Sequence, residues 1–177
     1  ALDLISQAEH SSDTFCYLIT NSEKTAKLVN EIVSKLLPTI QRSELVKSSL
    51  SKNGFIAVCK NSSDMVNLAN SLAPEHLQIM TKNPKSISSK ITTAGLVLLG
   101  DYSPSSASDY ILGSNHILPT NGFGKIRGSL SVMDFIKINT EVTASKLSLS
   151  KISKHLDTLT ASEGLPNHYE AVRGRLQ

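Results

Sequence analysis

Four short apolar runs divide the first hundred residues of the chain: "TFCYLIT" (14–20), "FIAVC" (55–59), "LQIMT" (77–81) and "LVLLG" (96–100). The stretches between them have helical spacing. In "NSEKTAKLVNEIVSKLLPTI" a capping Ser22 precedes Ala26, Val29, Val33 and Leu36 on one face. "RSELVKSSLSKNG" repeats the capping logic at Ser43 and stops at Asn53-Gly54, a left-handed C-terminal signal. "SSDMVNLANSLA" reads as another capped helix, and "NPKSISSKITTAG" as a helix with Pro84 at its start and Gly95 past its end. Short continuous apolar strands alternating with amphipathic helices predict a parallel sheet covered on both faces. Ligands are then expected beyond the carboxyl ends of the strands.

From about residue 101 the pattern changes. "DYSPSSASDYILGSNHILPTNGFGKIRGSLS" is rich in loop formers, leaves room for two helical fragments at most, and holds Tyr, Ile, Leu and Phe anchors that argue against disorder. A long loop of this kind reads as site and not as scaffold. "LSVMDFIKINT" then reads as a helix, and "SKLSLSKISKHLDTLTASEGLPNHYEAVRGRL" as two helices broken near Gly164 and Pro166. This tail is amphipathic, so its apolar face needs cover, on its own domain or on a partner subunit. The chain opens on "ALDLISQAEH", already helical in pattern, and so reads as the later part of something longer.

Composition removes several function classes. Of the 177 residues 40% are hydrophobic, enough for one domain with a sizeable core and an appendage. No run approaches the ~20 apolar residues of a spanning helix, and no signal-peptide pattern opens the chain. The expectation is no membrane and a cytoplasmic location. Eighteen Lys and Arg against fifteen Asp and Glu leave a charge of +3, too mild and too evenly spread to argue for nucleic acid. Cys16 and Cys59 each sit in an apolar run and read as buried reduced thiols.

The polar residues that invite chemistry are few. "SLAPEHLQI" sets Glu75 beside His76; neighbours in a strand point to opposite faces, so a shared site requires a loop. Pro74 supplies one, because it drives residue 73 to extended backbone and takes the chain out of the preceding helix. Gln7 and His10, three apart in the first helix, share a face that suits either a bound ion or a plain solvent-exposed surface. Asp109 offers a hard oxygen, His116 follows seven residues later, and Glu163 and His168 bracket the tail's helix break. No zinc-finger spacing is present, so a metal site would be assembled from distant segments, as catalytic zinc sites are. "GFGKIRG" lacks the G-x-G-x-x-G spacing and follows no buried strand, and it reads as a flexible turn. His155 and Tyr17 read as surface or packing residue and core residue respectively.

Taken together, "LISQAEH", "LAPEHLQI", "LGDYSPSSASDYILGSNHILPTNGFGK", "LSVMDFIK" and "SEGLPNHYEAVRGRL" resemble, in order and spacing, the C-terminal part of histidinol dehydrogenase. The resemblance spans essentially the whole chain. It implies the parallel sheet of an incomplete Rossmann-like α/β domain with flanking helices over residues 1–138, and a helical C-terminal tail over 139–177 that reaches a partner subunit. It also implies a zinc-dependent, NAD-linked oxidation of L-histidinol to L-histidine through the aldehyde, in two hydride transfers. Carried over by position, Gln7, His10, Asp109 and His168 are the implied zinc ligands. Glu75 and His76 are the implied acid and base pair. Gln7, His10, His76, Asp109, His116, Glu163 and His168 are the implied substrate contacts. The tail is implied to cross a homodimer, so that Glu163 and His168 complete the partner's site.

The residue types suit that chemistry. An imidazole with a pKa near ~6.5 can take the alcohol's proton at neutral pH, and a carboxylate can activate water for attack on the aldehyde. The family's chain is more than twice as long, and its upstream portion carries the cofactor contacts, so no NAD-binding residue is expected here. "KIRGSLS" also departs from a proline-containing form at that loop. Two other readings stand beside the enzyme portion: a non-catalytic zinc-binding, dimerising fragment, and a metal-assisted hydrolase built on the same ligands.

Overall fold

Each apolar run becomes a strand of four residues in the computed structural model, which describes residues 1–177. The strands are β1 (Tyr17–Thr20), β2 (Phe55–Val58), β3 (His76–Ile79) and β4 (Leu96–Leu99). They pair in parallel, Tyr17 opposite Phe55 through Thr20 opposite Val58, and His76 opposite Leu96 through Ile79 opposite Leu99. The single sheet expected from the sequence is instead two sheets of two strands. Each strand bonds only to its neighbour along the chain, the commonest pairing for consecutive parallel strands. Burial on both faces also fails for β2, whose Phe55, Ile56 and Val58 are exposed.

The helices are α1 (Leu2–Ala8), α2 (Glu23–Leu36), α3 (Ser43–Asn53), α4 (Ser62–Leu72), α5 (Pro84–Ser88), α6 (Ser105–Ser108), α7 (Lys146–Ser162) and α8 (Pro166–Arg173). The chain forms two compact units, Ala1–Asp134 and Phe135–Gln177. In the first, Ile5 and Ala8 of α1 meet Cys16 and Val46, with Leu4, Leu36, Leu37, Ile40 and Leu50 packed around them. Burial pushes the Cys16 thiol up to about 11. Cys59, expected in the core, is only half-buried. Tyr17, also expected there, is half-exposed and stacks on Phe55 with ring centroids 4.2 Å apart. The loop before β1 is tied to α3, where Ser49 Oγ donates to the Thr14 carbonyl (2.9 Å) and Asn53 Nδ2 to that of Ser12 (2.9 Å).

Helix ends follow local chemistry more finely than sequence spacing does. Ser22 caps α2 as expected, accepting from Thr25 N–H at 3.2 Å, and Asn61 caps α4. Ser43, in contrast, lies inside α3, and the cap position falls to Arg42 at φ 54°. Gly54 is extended (φ −88°, ψ 152°) and not left-handed. Its lack of a side chain matters for space, because a Cβ there would lie 2.6 Å from the Leu50 carbonyl oxygen. Ala73, expected to be extended before Pro74, is left-handed (φ 47°, ψ 60°), with its N–H still bonded to Ala69. A left-handed residue also escapes the right-handed helical region that a following proline disfavours. α5 stops at Ser88, well short of Gly95, because Asn70 captures the chain beyond it. Its side-chain Nδ2 donates to the Lys90 carbonyl and its Oδ1 accepts from Thr92 N–H, each at 2.9 Å.

The helix expected over "LSVMDFIKINT" shrinks to a single 3-10 turn, Val132–Phe135. Asp134 holds it by accepting from Ser131 N–H (2.7 Å) and Arg127 Nη2 (3.0 Å). The Ser131 N–H first, and Arg127 after it, keep the Asp134 carboxyl below the usual carboxylate range. In the second unit Ser145 caps α7, accepting from Ser148 N–H at 3.0 Å, and Gly164 turns the chain at φ +71° before Pro166 opens α8. No residue of α7 or α8 is buried. No helix of the chain is long and apolar enough to cross a membrane.

Candidate active site

Glu75 and His76 straddle a boundary. Glu75 ends the loop that follows α4, and His76 is the first residue of β3. The pair therefore sits at the amino end of its strand, not beyond a carboxyl end as the parallel-sheet rule suggested. The start of β4 fixes the backbone of both Pro74 and Glu75, with Gly95 N–H donating to Pro74 O (2.9 Å) and Leu96 N–H to Glu75 O (2.8 Å). Gly95 allows that approach, since a Cβ there would lie 2.8 Å from the Glu75 carbonyl oxygen and 3.0 Å from the Pro119 ring. Gly124 is tighter still, its Cβ position lying 2.0 Å from the Thr93 carbonyl oxygen. Of the glycines of "GFGKIRG", Gly124 thus serves close backbone packing within a 3-10 turn, Phe123–Lys125, and Gly122 precedes that turn at φ +80°.

His76 reaches across the unit to Asp109, its Nε2 lying 3.1 Å from Asp109 Oδ1 with both side chains about five-sixths buried. Asp109 follows α6, and its N–H donates to the Ser105 carbonyl at 3.1 Å. The Ser105 hydroxyl in turn accepts from Gln7 Nε2 at 2.8 Å. Gln7, Asp109 and His76, from three distant segments, are joined in this way through a serine that sequence spacing did not single out. Gln78, two residues past His76 and so on the same face of β3, holds a buried side-chain nitrogen without a hydrogen-bond partner. Nothing in the structure explains that orphan donor.

The other expected residues stand apart. His10 lies just past the end of α1, exposed, with its N–H on the Gln7 carbonyl at 3.3 Å. The shared helical face argued from the sequence does not extend to it. His116 is exposed between Asn115 and Ile117, which are pinned to Leu130 by the Asn115 side chain (2.8 Å to Leu130 O) and the Ile117 carbonyl (3.0 Å from Leu130 N–H). Glu163 caps the end of α7, His168 lies in the first turn of α8, and both are exposed in the second unit. Within the chain no three His, Cys, Asp or Glu side chains converge on one point.

An imidazole and a carboxylate in contact, with Glu75 the residue before the imidazole, stand at the amino end of a parallel strand pair on an α/β scaffold. The family model described as histidinol dehydrogenase matches residues 1–176. Histidinol dehydrogenase of Oceanobacillus iheyensis is 40% identical over 175 residues, and that of Methanopyrus kandleri 41% over 176, each match covering 99% of this chain and 41% of the relative. The crystal structure of histidinol dehydrogenase from Elizabethkingia anophelis superposes with a TM-score of 0.87 at 34% identity, over 99% of this chain and 40% of that one. The chain belongs to the histidinol dehydrogenase family. It spans about two-fifths of the length of the relatives it matches.

Proposed function

We propose that this chain supplies the metal-binding and acid–base residues for the oxidation of L-histidinol to L-histidine, a zinc-dependent and NAD-linked reaction. The observation that carries the reading is the 3.1 Å contact between His76 Nε2 and Asp109 Oδ1 in a member of this family. A carboxylate against an imidazole orients the ring, which suits a base that takes a proton from an alcohol. His76 is that base. Glu75, beside it, activates water for attack on the aldehyde that the first oxidation leaves. His116, with Glu163 and His168 of a partner copy, contacts the substrate.

The donor set proposed for the metal is Gln7, His10, Asp109 and His168: an amide oxygen, a carboxylate and two imidazoles. This set without thiolates fits zinc. The contact that supports it is that of the Gln7 amide with the Ser105 hydroxyl (2.8 Å), which ties Gln7 to the residue whose carbonyl holds Asp109 N–H. Bound there, zinc would anchor the amine and imidazole nitrogens of the substrate. His168 would come from a second copy in a homodimer, a reading supported by the exposed apolar residues Leu147, Ile152, Leu159 and Leu165 of the second unit. The residues of this chain do not fit NAD in the same way, since its one glycine cluster lacks the phosphate-cradling spacing and its Gly124 packs against the Thr93 carbonyl. The cofactor contacts are proposed to lie in the part of the relatives that this chain does not span.

The test combines the chain with the unmatched upstream portion of the Oceanobacillus relative and measures NAD reduction with histidinol. His76→Asn is expected to lower the rate by about 10²- to 10⁴-fold, the usual contribution of a general base. Glu75→Gln is expected to let aldehyde accumulate. No reduction with both portions present would overturn the enzymatic reading. Zinc binding without turnover would favour the second reading, a non-catalytic zinc-binding and dimerising module, which the two-fifths coverage of the relatives makes concrete.

A further inference from the structure

We infer that Asn121–Gly122 is a site of spontaneous deamidation, and that the fold protects the chain's other Asn-Gly pair, Asn53–Gly54, from the same reaction. The chemistry is internal to the pair. The glycine main-chain nitrogen attacks the asparagine Cγ, so that an N–Cγ bond forms and the Cγ–Nδ2 bond breaks. Ammonia leaves, taking the proton that the glycine N–H gives up. Water then opens the succinimide ring at either carbonyl to give aspartate or isoaspartate, and nothing is oxidised or reduced. Glycine in second place matters because no Cβ crowds the attacking nitrogen.

The two pairs differ in whether the nitrogen and the amide are free. Gly54 N–H donates to Leu50 O at 3.1 Å, Asn53 Nδ2 donates to the Ser12 carbonyl at 2.9 Å, and the next residue, Phe55, is bonded through its N–H to the Cys16 carbonyl at 3.3 Å. The pair is half-buried, and the last turn of α3 fills the space beside Gly54. Attack there requires the end of α3 to unwind. Asn121, in contrast, is exposed, and neither its side-chain amide nor the Gly122 N–H makes a hydrogen bond within the chain. No atom lies within 4 Å of the position a Gly122 Cβ would take. Asn121 (φ 52°) and Gly122 (φ 80°) form the centre of a turn closed by Phe123 N–H on Thr120 O at 3.0 Å, the type I′ pattern. Opening that one bond frees the Asn121 backbone to rotate until the nitrogen meets Cγ. The product adds a negative charge, and as isoaspartate one backbone carbon, to the turn that leads into Gly124 and its packing on Thr93.

The test ages the purified chain at mildly alkaline pH and follows the peptides that hold the two pairs by mass spectrometry. Each conversion adds the mass of water less that of ammonia, and an isoaspartate-specific methyltransferase labels the isomerised product. In the folded chain Asn121 is expected to convert about tenfold or more faster than Asn53, because the bonds that hold Asn53–Gly54 must open together and each is worth about 2- to 12-fold. In urea, where both pairs are free, the two rates are expected to converge. Asn121→Gly, which tolerates the left-handed backbone of the turn, is expected to abolish the early signal. Equal rates in the folded chain, or Asn53 ahead of Asn121, would overturn the inference. A ratio that persists in urea would overturn it too, since flanking residues and not the fold would then set the difference. A folded chain that modifies neither pair, over a time in which the unfolded chain modifies both, would remove Asn121 as a site. An early signal that survives in Asn121→Gly would do the same.

Discussion

The two units of the chain are written in the same idiom, amphipathic helices with apolar residues three and four apart, yet they differ in burial. Residues 1–134 bury Ile5, Ala8, Cys16 and Val46 in one cluster, because α1 and α3 close over the loop that enters β1. Residues 135–177 bury nothing. In α7 the half-buried positions are Leu149, Ser153, Leu156 and Thr160, one stripe, and α8 answers with Tyr169 and Val172. Helical period is a property of a local segment, whereas burial needs a second layer on the other side. A pair of helices 17 and 8 residues long provides one seam and leaves the remaining leucines and isoleucines in solvent.

The contrast breaks most readily at Ile5. It is 7% exposed at the centre of the first unit's cluster, so Ile5→Ala should cost about 2–5 kcal/mol in a urea unfolding experiment. A loss below about 0.5 kcal/mol, the range of ordinary surface changes, would show that the cluster does not support this unit.

Cys16 sharpens the contrast through pH. Its thiol, ordinarily at 9.0, is pushed up to about 11 by burial. The unfolded chain loses this proton from about pH 9 while the folded chain keeps it to about 11. The unfolded state therefore binds fewer protons across that window, and stability falls as pH rises through it. Cys16→Ala is expected to flatten this slope in melts recorded across the window, and an unchanged slope would assign it elsewhere. At neutral pH a thiol-alkylating reagent should modify half-buried Cys59 ahead of Cys16.

What the sequence made legible was whatever depends on a few consecutive residues. Three strands lie within their apolar runs and β3 starts one residue ahead of its own, Ser22 caps its helix, and the tail breaks at Gly164 and Pro166. Pairing was less legible, since nothing in a strand's own residues says that β2 and β3 will not bond to each other. Helix ends set by distant contacts were also hidden. α5 is cut short by the side chain of Asn70, and Gly54 and Gly95 are chosen for space that only the folded backbone defines. At the site, spacing indicated the residue types, and "EH" and "SASD" carried His76 and Asp109. The serine joining Gln7 to Asp109 was illegible, because "SPSSAS" offers several serines and only the fold selects one. The helix argument for Gln7 and His10 failed for a plain reason: α1 ends at Ala8, two residues before His10.

The smallest expected effect lies at Leu159, which is 58% exposed on α7. Measured at a concentration where the chain is a monomer, Leu159→Ala should change stability by no more than about 0.5 kcal/mol, an order of magnitude below the upper value expected for Ile5. The same substitution examined at rising concentration asks a different question. A second copy that covers α7 would bury Leu159, and the cost of the substitution would then grow with concentration, because stability gained by association depends on mass action. Sedimentation of the wild type and the variant in parallel separates the two cases. A cost that stays small at every concentration would count against cover from a second copy at this position, and with it against the partner-donated His168, since the apolar face would then have no use in assembly.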